Sequence, residues 1–177
     1  MSVLSVPASD QDHFQGRLDA PVVLVEYADY QCPYCEEAFS LIKRLQQRFG
    51  DTLCVVFRNF PLPRSHPQAL PAAITAEYAA MHGQFWPAHD ALFRSQQQLG
   101  EVVYRELMRE LGLPEEGLAA AMDDPAYLEL IQRDAEGGVR SGVTGTPTIF
   151  VNDRVFTPNQ TLEELYDVIL AASQQPR

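Results

Sequence analysis

An α/β fold, ordered βαβ, then helices, then ββα, is predicted for this chain of 177 residues. Three observations predict it. Residues 22–27 and 53–57 are short apolar, branched runs on either side of an amphipathic segment, the pattern of two buried strands joined by a helix. Residues 72–141 then carry helical patterning only. The chain returns to β at residues 148–151 and 154–156, across Asn152-Asp153, and ends in one more helical stretch. Residues 1–63 and 143–177 therefore form the sheet domain, residues 64–142 an inserted all-helical subdomain, and residues 1–19 a loose lead-in.

Each element has a local reason. A short helix is expected around residues 10–15. Ala20-Pro21 opens the first strand, where nearly every side chain is apolar, so both faces need cover. Glu26 breaks that run, and a carboxylate there must be paired, neutral or functional. Residues 28–31 connect to a helix whose Ala38, Leu41, Ile42, Leu45 and Phe49 share one face, with Gly50 as its stop. Residues 58–71 hold four prolines and read as a loop. Helices are expected over 72–82, 85–95, 101–111, 114–122 and 125–140, the last loosened by Gly137-Gly138. Thr161 and Glu164 have capping-box spacing before a final helix that ends near residue 172.

Composition narrows the function. With 46% apolar and 21% charged residues the chain is globular, and a net charge of −11 argues against a nucleic-acid partner. No apolar run reaches the roughly 18 residues of a membrane span. The first ten residues hold no basic residue and no apolar core of a secretory signal. A cytoplasmic protein is expected on that ground, or a periplasmic one if a signal peptide has been removed. Three cysteines are too few for a disulfide scaffold.

Two of those cysteines stand in Cys32-Pro33-Tyr34-Cys35, at the strand-to-helix junction. With Cys32 at the N-cap, Pro33 falls on the first helical position, where its missing N–H costs nothing. The Cys32 sulfur then faces unpaired helix N–H groups and the positive dipole end, which favour the thiolate. Cys35, one turn in, is less accessible and placed to resolve a mixed disulfide on Cys32. A closed zinc site needs four ligands, and the sequence has no second C-x-x-C or H-x-x-x-H, so no metal is expected. Cys54, in an apolar run, reads as core. His66, His82 and His89 read as structural or surface residues, and Phe85, Trp86 and Phe93 as core of the insertion.

Further segments sharpen this reading: Val25-Glu26-Tyr27, Phe60-Pro61-Leu62, His66-Pro67, residues 85–93 (FWPAHDALF) and residues 142–148 (GVTGTPT). With the CPYC motif, in this order, the chain resembles the DsbA family of thiol-disulfide oxidoreductases over residues 20–172. The resemblance implies a thioredoxin-like fold and exchange with protein thiol or disulfide substrates, with no cofactor. It implies that Pro147 is a cis proline opposite the dithiol and that Thr146, before it, docks the substrate strand. It implies that Glu26 relays the Cys35 proton, since burial raises a carboxyl pKa into a useful range. It also makes Pro33 and Tyr34 the pair that tunes the potential. Histidine is typical there in the oxidase prototype, whereas Pro-Tyr is the glutaredoxin pair. Neutral Tyr34 cannot stabilise a thiolate by charge, and Glu36 and Glu37 oppose one, so Cys32 is expected to be acidic but less so than in the strongest oxidases. Two alternatives stand beside this: a glutathione-linked, glutaredoxin-like reductase, and a redox-sensing chaperone or binding module. Glutathione or a thioredoxin-type protein is the expected recycling partner.

Overall fold

The apolar run after Pro21 becomes β2 (Val22–Ala28), and all seven of its residues are buried. It is covered on every side because it is central. In the computed structural model, which describes residues 2–157 and 161–175, β2 pairs in parallel with β3 (Leu53–Asn59) and antiparallel with β4 (Thr148–Val151). Adding β1 (His13–Gln15) and β5 (Arg154–Val155) gives a five-stranded sheet ordered β1-β3-β2-β4-β5. The parallel pair is joined by α1 (Pro33–Phe49) and a short 3-10 turn at Gly50–Thr52. The register sets Glu26 between Phe57 and Ile149.

Alternation along β2 sends its side chains to two cores. Val22 and Leu24 meet Leu41, Ile42 and Leu45 of α1 and Leu165 and Ile169 of α7 (Glu164–Ser173). Val23, Val25 and Tyr27 face the other way, with Cys54, Val56, Phe60 and Phe150. The helical stretch comprises α2 (Ala69–Met81), α3 (Phe85–Arg94), α4 (Glu101–Leu111), α5 (Glu115–Asp123) and α6 (Pro125–Arg140). Nine residues of α2 are buried, Ala69 and Ala72 through Ala79, which is the signature of a helix enclosed by others. One apolar cluster runs from these helices through Phe39 and Phe57 to Cys32 and Cys35, so the helices and the sheet share a core at the dithiol.

Several expectations need correction. Residues 13–15 form a strand rather than a short helix, because β1 pairs antiparallel with β3, matching His13 to Phe57 and Gln15 to Val55. The lead-in is not loose: Leu4 is buried, and its N–H donates to the Asp153 carbonyl at 2.9 Å. The buried Arg58 guanidinium binds the Asp12 carboxylate, the Val6 and Pro7 carbonyls and the Tyr27 hydroxyl. The loop expected over 58–71 is shorter at both ends. Arg58 and Asn59 extend β3, and α2 begins at Ala69, with Pro71 in a first turn whose N–H groups lack helical partners anyway. The hairpin turn takes positive φ at both Asn152 (46°) and Asp153 (67°), the demand of a type I′ turn that Asn and Asp tolerate. Of the Thr161–Glu164 pair, one arm is present: Thr161 N–H donates to the Glu164 carboxylate at 2.7 Å.

Gly137-Gly138 does not loosen α6, which runs unbroken to Arg140. It lets the helix approach the sheet. A Cβ at Gly138 would lie 2.9 Å from Phe60 Cδ2 and 3.0 Å from Tyr27 Cδ1. Gly138→Ala is therefore expected to destabilise the protein by roughly 1–3 kcal/mol, because overpacking outweighs the gain of up to about 1 kcal/mol in helix propensity. A thermal melt checks this; an unchanged or higher Tm counts against the close approach.

Candidate active site

Cys32 caps α1 with extended backbone (φ −73°, ψ 122°), and Pro33 takes the first helical position. The Cys32 carbonyl accepts the N–H groups of Cys35 (3.0 Å) and Glu36 (3.3 Å). Both Cys32 and Cys35 are thiols here. Cys32 keeps 4% of its surface and Cys35 none, while Tyr34 between them is 67% exposed. The loop before the motif is held by Asp29. Its carbonyl accepts the Cys32 N–H (3.1 Å), and its buried carboxylate accepts Gln31 N–H (2.8 Å), Leu62 N–H (2.9 Å) and a bond with His66 Nδ1 (2.8 Å).

Across from the motif, the loop into β4 brings Thr146 to Cys32. The Cys32 thiol donates to the Thr146 carbonyl at 3.5 Å, and the Thr146–Pro147 peptide is cis. The Thr146 hydroxyl is buried with no hydrogen-bond partner while Cys32 is a thiol. The Thr146 side chain favours the Cys32 thiolate. The Cys32 pKa is pulled down to about 5, first by the Cys35 thiol as a hydrogen-bond donor, against desolvation, then by Thr146 and the Cys35 and Tyr34 backbone. Cys35 moves the opposite way, far above the usual thiol range, chiefly because burial disfavours its charge, with Cys32 and Glu26 adding to the effect.

Glu26 is 3% exposed, and its Oε1 has no hydrogen-bond partner. Burial first, then the Cys32 charge, pushes its pKa up to about 8. The side chain borders a narrow cavity lined also by Phe39, Lys43, Gln46, Phe57 and His89.

The remaining candidates have structural surroundings. Cys54, on β3, is fully buried in the core with Val23, Val25 and Val56. His66 pairs with Asp29, and His82 meets the Tyr78 ring edge-on. His89 is buried, bonds the Tyr30 hydroxyl through Nδ1 at 3.0 Å, and has its pKa held well below the usual value by burial, with Lys43 and His13 adding to it. Phe85, Trp86 and Phe93 do not form a core private to the insertion. They surround His89 together with Tyr30, Phe39 and Phe57, at the seam with the sheet. Among the described residues no cluster of three or more His, Cys, Asp or Glu side chains is arranged to hold a metal. Sequence reasoning missed Asp29 and a second buried polar residue, Gln96, whose side chain donates to the Cys32 carbonyl. Neither carries a signal in the sequence, since each acts on backbone that folding alone brings near.

Comparison with known proteins agrees with this geometry. The family model described as Thioredoxin matches residues 8–171. BdbD from Bacillus subtilis superposes with a TM-score of 0.86 over 98% of this chain and 99% of its own, at 24% identity. Alpha-DsbA1 from Wolbachia pipientis gives 0.80 over 94% and 92%, at 18% identity. Among curated relatives, the Na(+)/H(+) antiporter NhaA 1 of Mycolicibacterium vanbaalenii is 37% identical over 145 residues, 81% of this chain and 24% of that protein. The chain thus spans about a quarter of the length of such relatives. Among the described residues no helix is long and apolar enough to cross a membrane. With the matched model spanning nearly the whole chain and the dithiol capping α1 in a βαβ…ββα sheet, this chain belongs to the thioredoxin family and has the fold of its DsbA-type members.

Proposed function

We propose that this protein is a dithiol-disulfide oxidoreductase that exchanges disulfides with protein substrates through a mixed disulfide on Cys32. The observation that carries the reading is the placement of two neighbouring thiols, Cys32 capping α1 against the Thr146 carbonyl and Cys35 fully buried one turn in. This placement draws the Cys32 pKa down to about 5 and drives that of Cys35 up. That division gives one sulfur the attack and holds the other in reserve.

The Cys32 thiolate attacks one sulfur of a substrate disulfide, an S–S bond forms between them, and the first substrate thiolate leaves. Cys35 gives its proton to Glu26, through the ionised fraction that its raised pKa leaves near neutral pH, and attacks Cys32 Sγ. The second substrate thiolate departs, and Cys32–Cys35 is left oxidised while the substrate is reduced by two electrons. The reverse sequence oxidises a substrate dithiol. The Thr146 backbone, already beside Cys32 Sγ, offers an incoming strand its hydrogen-bonding edge. Pro33 and Tyr34 tune the couple, and exposed Tyr34 supplies an apolar contact beside the nucleophile. Residues 64–142 act as a helical unit that walls one side of the site.

Equilibration in glutathione redox buffers, with trapping of free thiols, tests this. A reversible Cys32–Cys35 disulfide is expected, at a potential more reducing than the roughly −120 mV of DsbA, because no imidazolium stands between the cysteines. A value in the roughly −200 to −270 mV range of glutaredoxins and thioredoxin suits a reductase in the cytosol, whereas one near −120 mV suits an oxidising compartment. If no reversible disulfide forms at any poise, the dithiol mechanism is wrong and the binding-module reading replaces it.

A further inference from the structure

Gln96 stands at the start of a 3-10 turn (Gln96–Gln98) that follows α3, 64 residues from Cys32 in the chain. It is 6% exposed, and its side chain reaches into the loop that carries the nucleophile. Its Nε2 donates to the Tyr30 carbonyl and to the Cys32 carbonyl, each at 2.8 Å. Both N–H bonds of the amide are thereby used. Its Oε1 is buried without a partner. Turning the amide over would aim Oε1 at two carbonyl oxygens and lose both donors, so the orientation is fixed by what it holds.

An orphaned buried acceptor is destabilising, because it loses its water without gaining a partner. The chain tolerates that at a place where an apolar side chain of the same size would fill the space. What the amide provides instead is a clamp on the Tyr30–Gln31 and Cys32–Pro33 peptides. The clamped Cys32 carbonyl is the one that accepts the first N–H groups of α1. Its direction governs how the N–H groups of Tyr34 and Cys35 meet the Cys32 sulfur, and helix N-terminal N–H groups stabilise a thiolate only when aligned with it.

We infer that Gln96 is a positioning residue for the exchange reaction, locking the Tyr30–Cys32 backbone so that the first turn of α1 stays aimed at the Cys32 sulfur. The inference rests on the dithiol reading above and adds to it a link between the helical insertion and the acidity of the nucleophile. Cys35 and Glu26 are the titratable groups that bear on Cys32, and substitution at position 96 leaves both in place.

The test is Gln96→Leu in the full chain, with Gln96→Met as a second variant of similar length should the first not fold. Folding is checked by far-UV circular dichroism, and the Cys32 thiolate is titrated by its ultraviolet absorbance and by pH-dependent alkylation. In a folded variant the thiolate pKa is expected to rise by about one unit, so that alkylation at a pH below both pKa values slows about tenfold. The equilibrium with glutathione is expected to shift about tenfold toward the disulfide, which is about 30 mV more reducing. A purely structural role would lower the melting temperature and leave both readouts at wild-type values, and that result overturns the inference. If the wild type itself forms no reversible disulfide, the parent reading fails, while the thiolate titration still decides the role of Gln96.

Discussion

Cys32→Ser is expected to abolish disulfide exchange, and Cys35→Ser to leave a protein that forms mixed disulfides it cannot release. With a thiol pKa of about 5, Cys32 is almost wholly ionised at neutral pH, and the thiolate is the attacking species. A serine hydroxyl at the same place stays protonated, so turnover should fall by a factor on the order of 10³ or more. Cys35 cannot take over, because burial holds its proton and closes its surface. In Cys35→Ser the first step survives, and an adduct with a substrate or with glutathione accumulates. A non-reducing gel or intact mass separates the two outcomes. The alkylation rate of Cys32 should also follow the thiolate fraction, level above pH 6 and falling as pH drops through about 5. A Cys32→Ser protein that keeps more than about a tenth of the rate would move the attack to another sulfur. A Cys35→Ser protein that turns over with glutathione would favour the glutathione-linked reading.

How much of this was legible depends on whether the cause was local. Helix α4 matches its expected span, because Gly112 ends it in the left-handed conformation. Helix α6 does too, because Pro125 opens it and the Asp124 side chain caps the Ala126 N–H. The placement of Cys32 and Pro33 at the head of α1 has the same local origin, an X-Pro pair after an apolar strand. By contrast, β1 is three residues with His and Gln at its ends, and only pairing with β3 makes it a strand. The double glycine near the end of α6 reads as a weak point in isolation and serves as a contact surface once Tyr27 and Phe60 lie against it. In the site, Cys32 and Cys35 stand out by spacing and Glu26 by its misfit among branched residues. Asp29 and Gln96 are ordinary polar residues until the fold delivers them to the backbone beside Cys32. Their partners are loop N–H groups and carbonyls, which every sequence possesses and none advertises. The seam around His89 escaped for a related reason: helical spacing groups Phe85, Trp86 and Phe93 together but does not say which surface they meet.

Glu26→Gln is expected to make the protein more stable at alkaline pH and slower in exchange, two effects with one cause. The Glu26 pKa is about 8 in the folded chain, against an ordinary value of 4.5. Below pH 4.5 both folded and unfolded states hold the proton, and the group adds no pH-dependent term. Between 4.5 and 8 the unfolded chain gives the proton up while the folded one keeps it, so stability falls as pH rises through this window. Above 8 the loss is complete, on the order of 4 kcal/mol. Glutamine does not titrate, so the advantage of the variant over the wild type should grow by about that amount from pH 4.5 to 8. Urea unfolding of the reduced proteins at the two pH values measures it, because the Glu26 pKa of about 8 includes the Cys32 charge, which a disulfide would remove. The depressed pKa of Cys32 works with the opposite sign, adding stability as pH rises above 5, but it is common to variant and wild type and leaves their difference unchanged. A pH-independent difference between variant and wild type would mean that the fold does not raise the Glu26 pKa. The kinetic half follows from the same buried proton site. With no carboxylate to accept it, the Cys35 proton must leave through a closed core, and release of the mixed disulfide should slow by roughly 10²-fold, the low end for general-base catalysis. Attack by Cys32, already ionised, should keep its rate. A variant that slows the first step and spares the second would assign Glu26 to the nucleophile and leave Cys35 to lose its proton by another route.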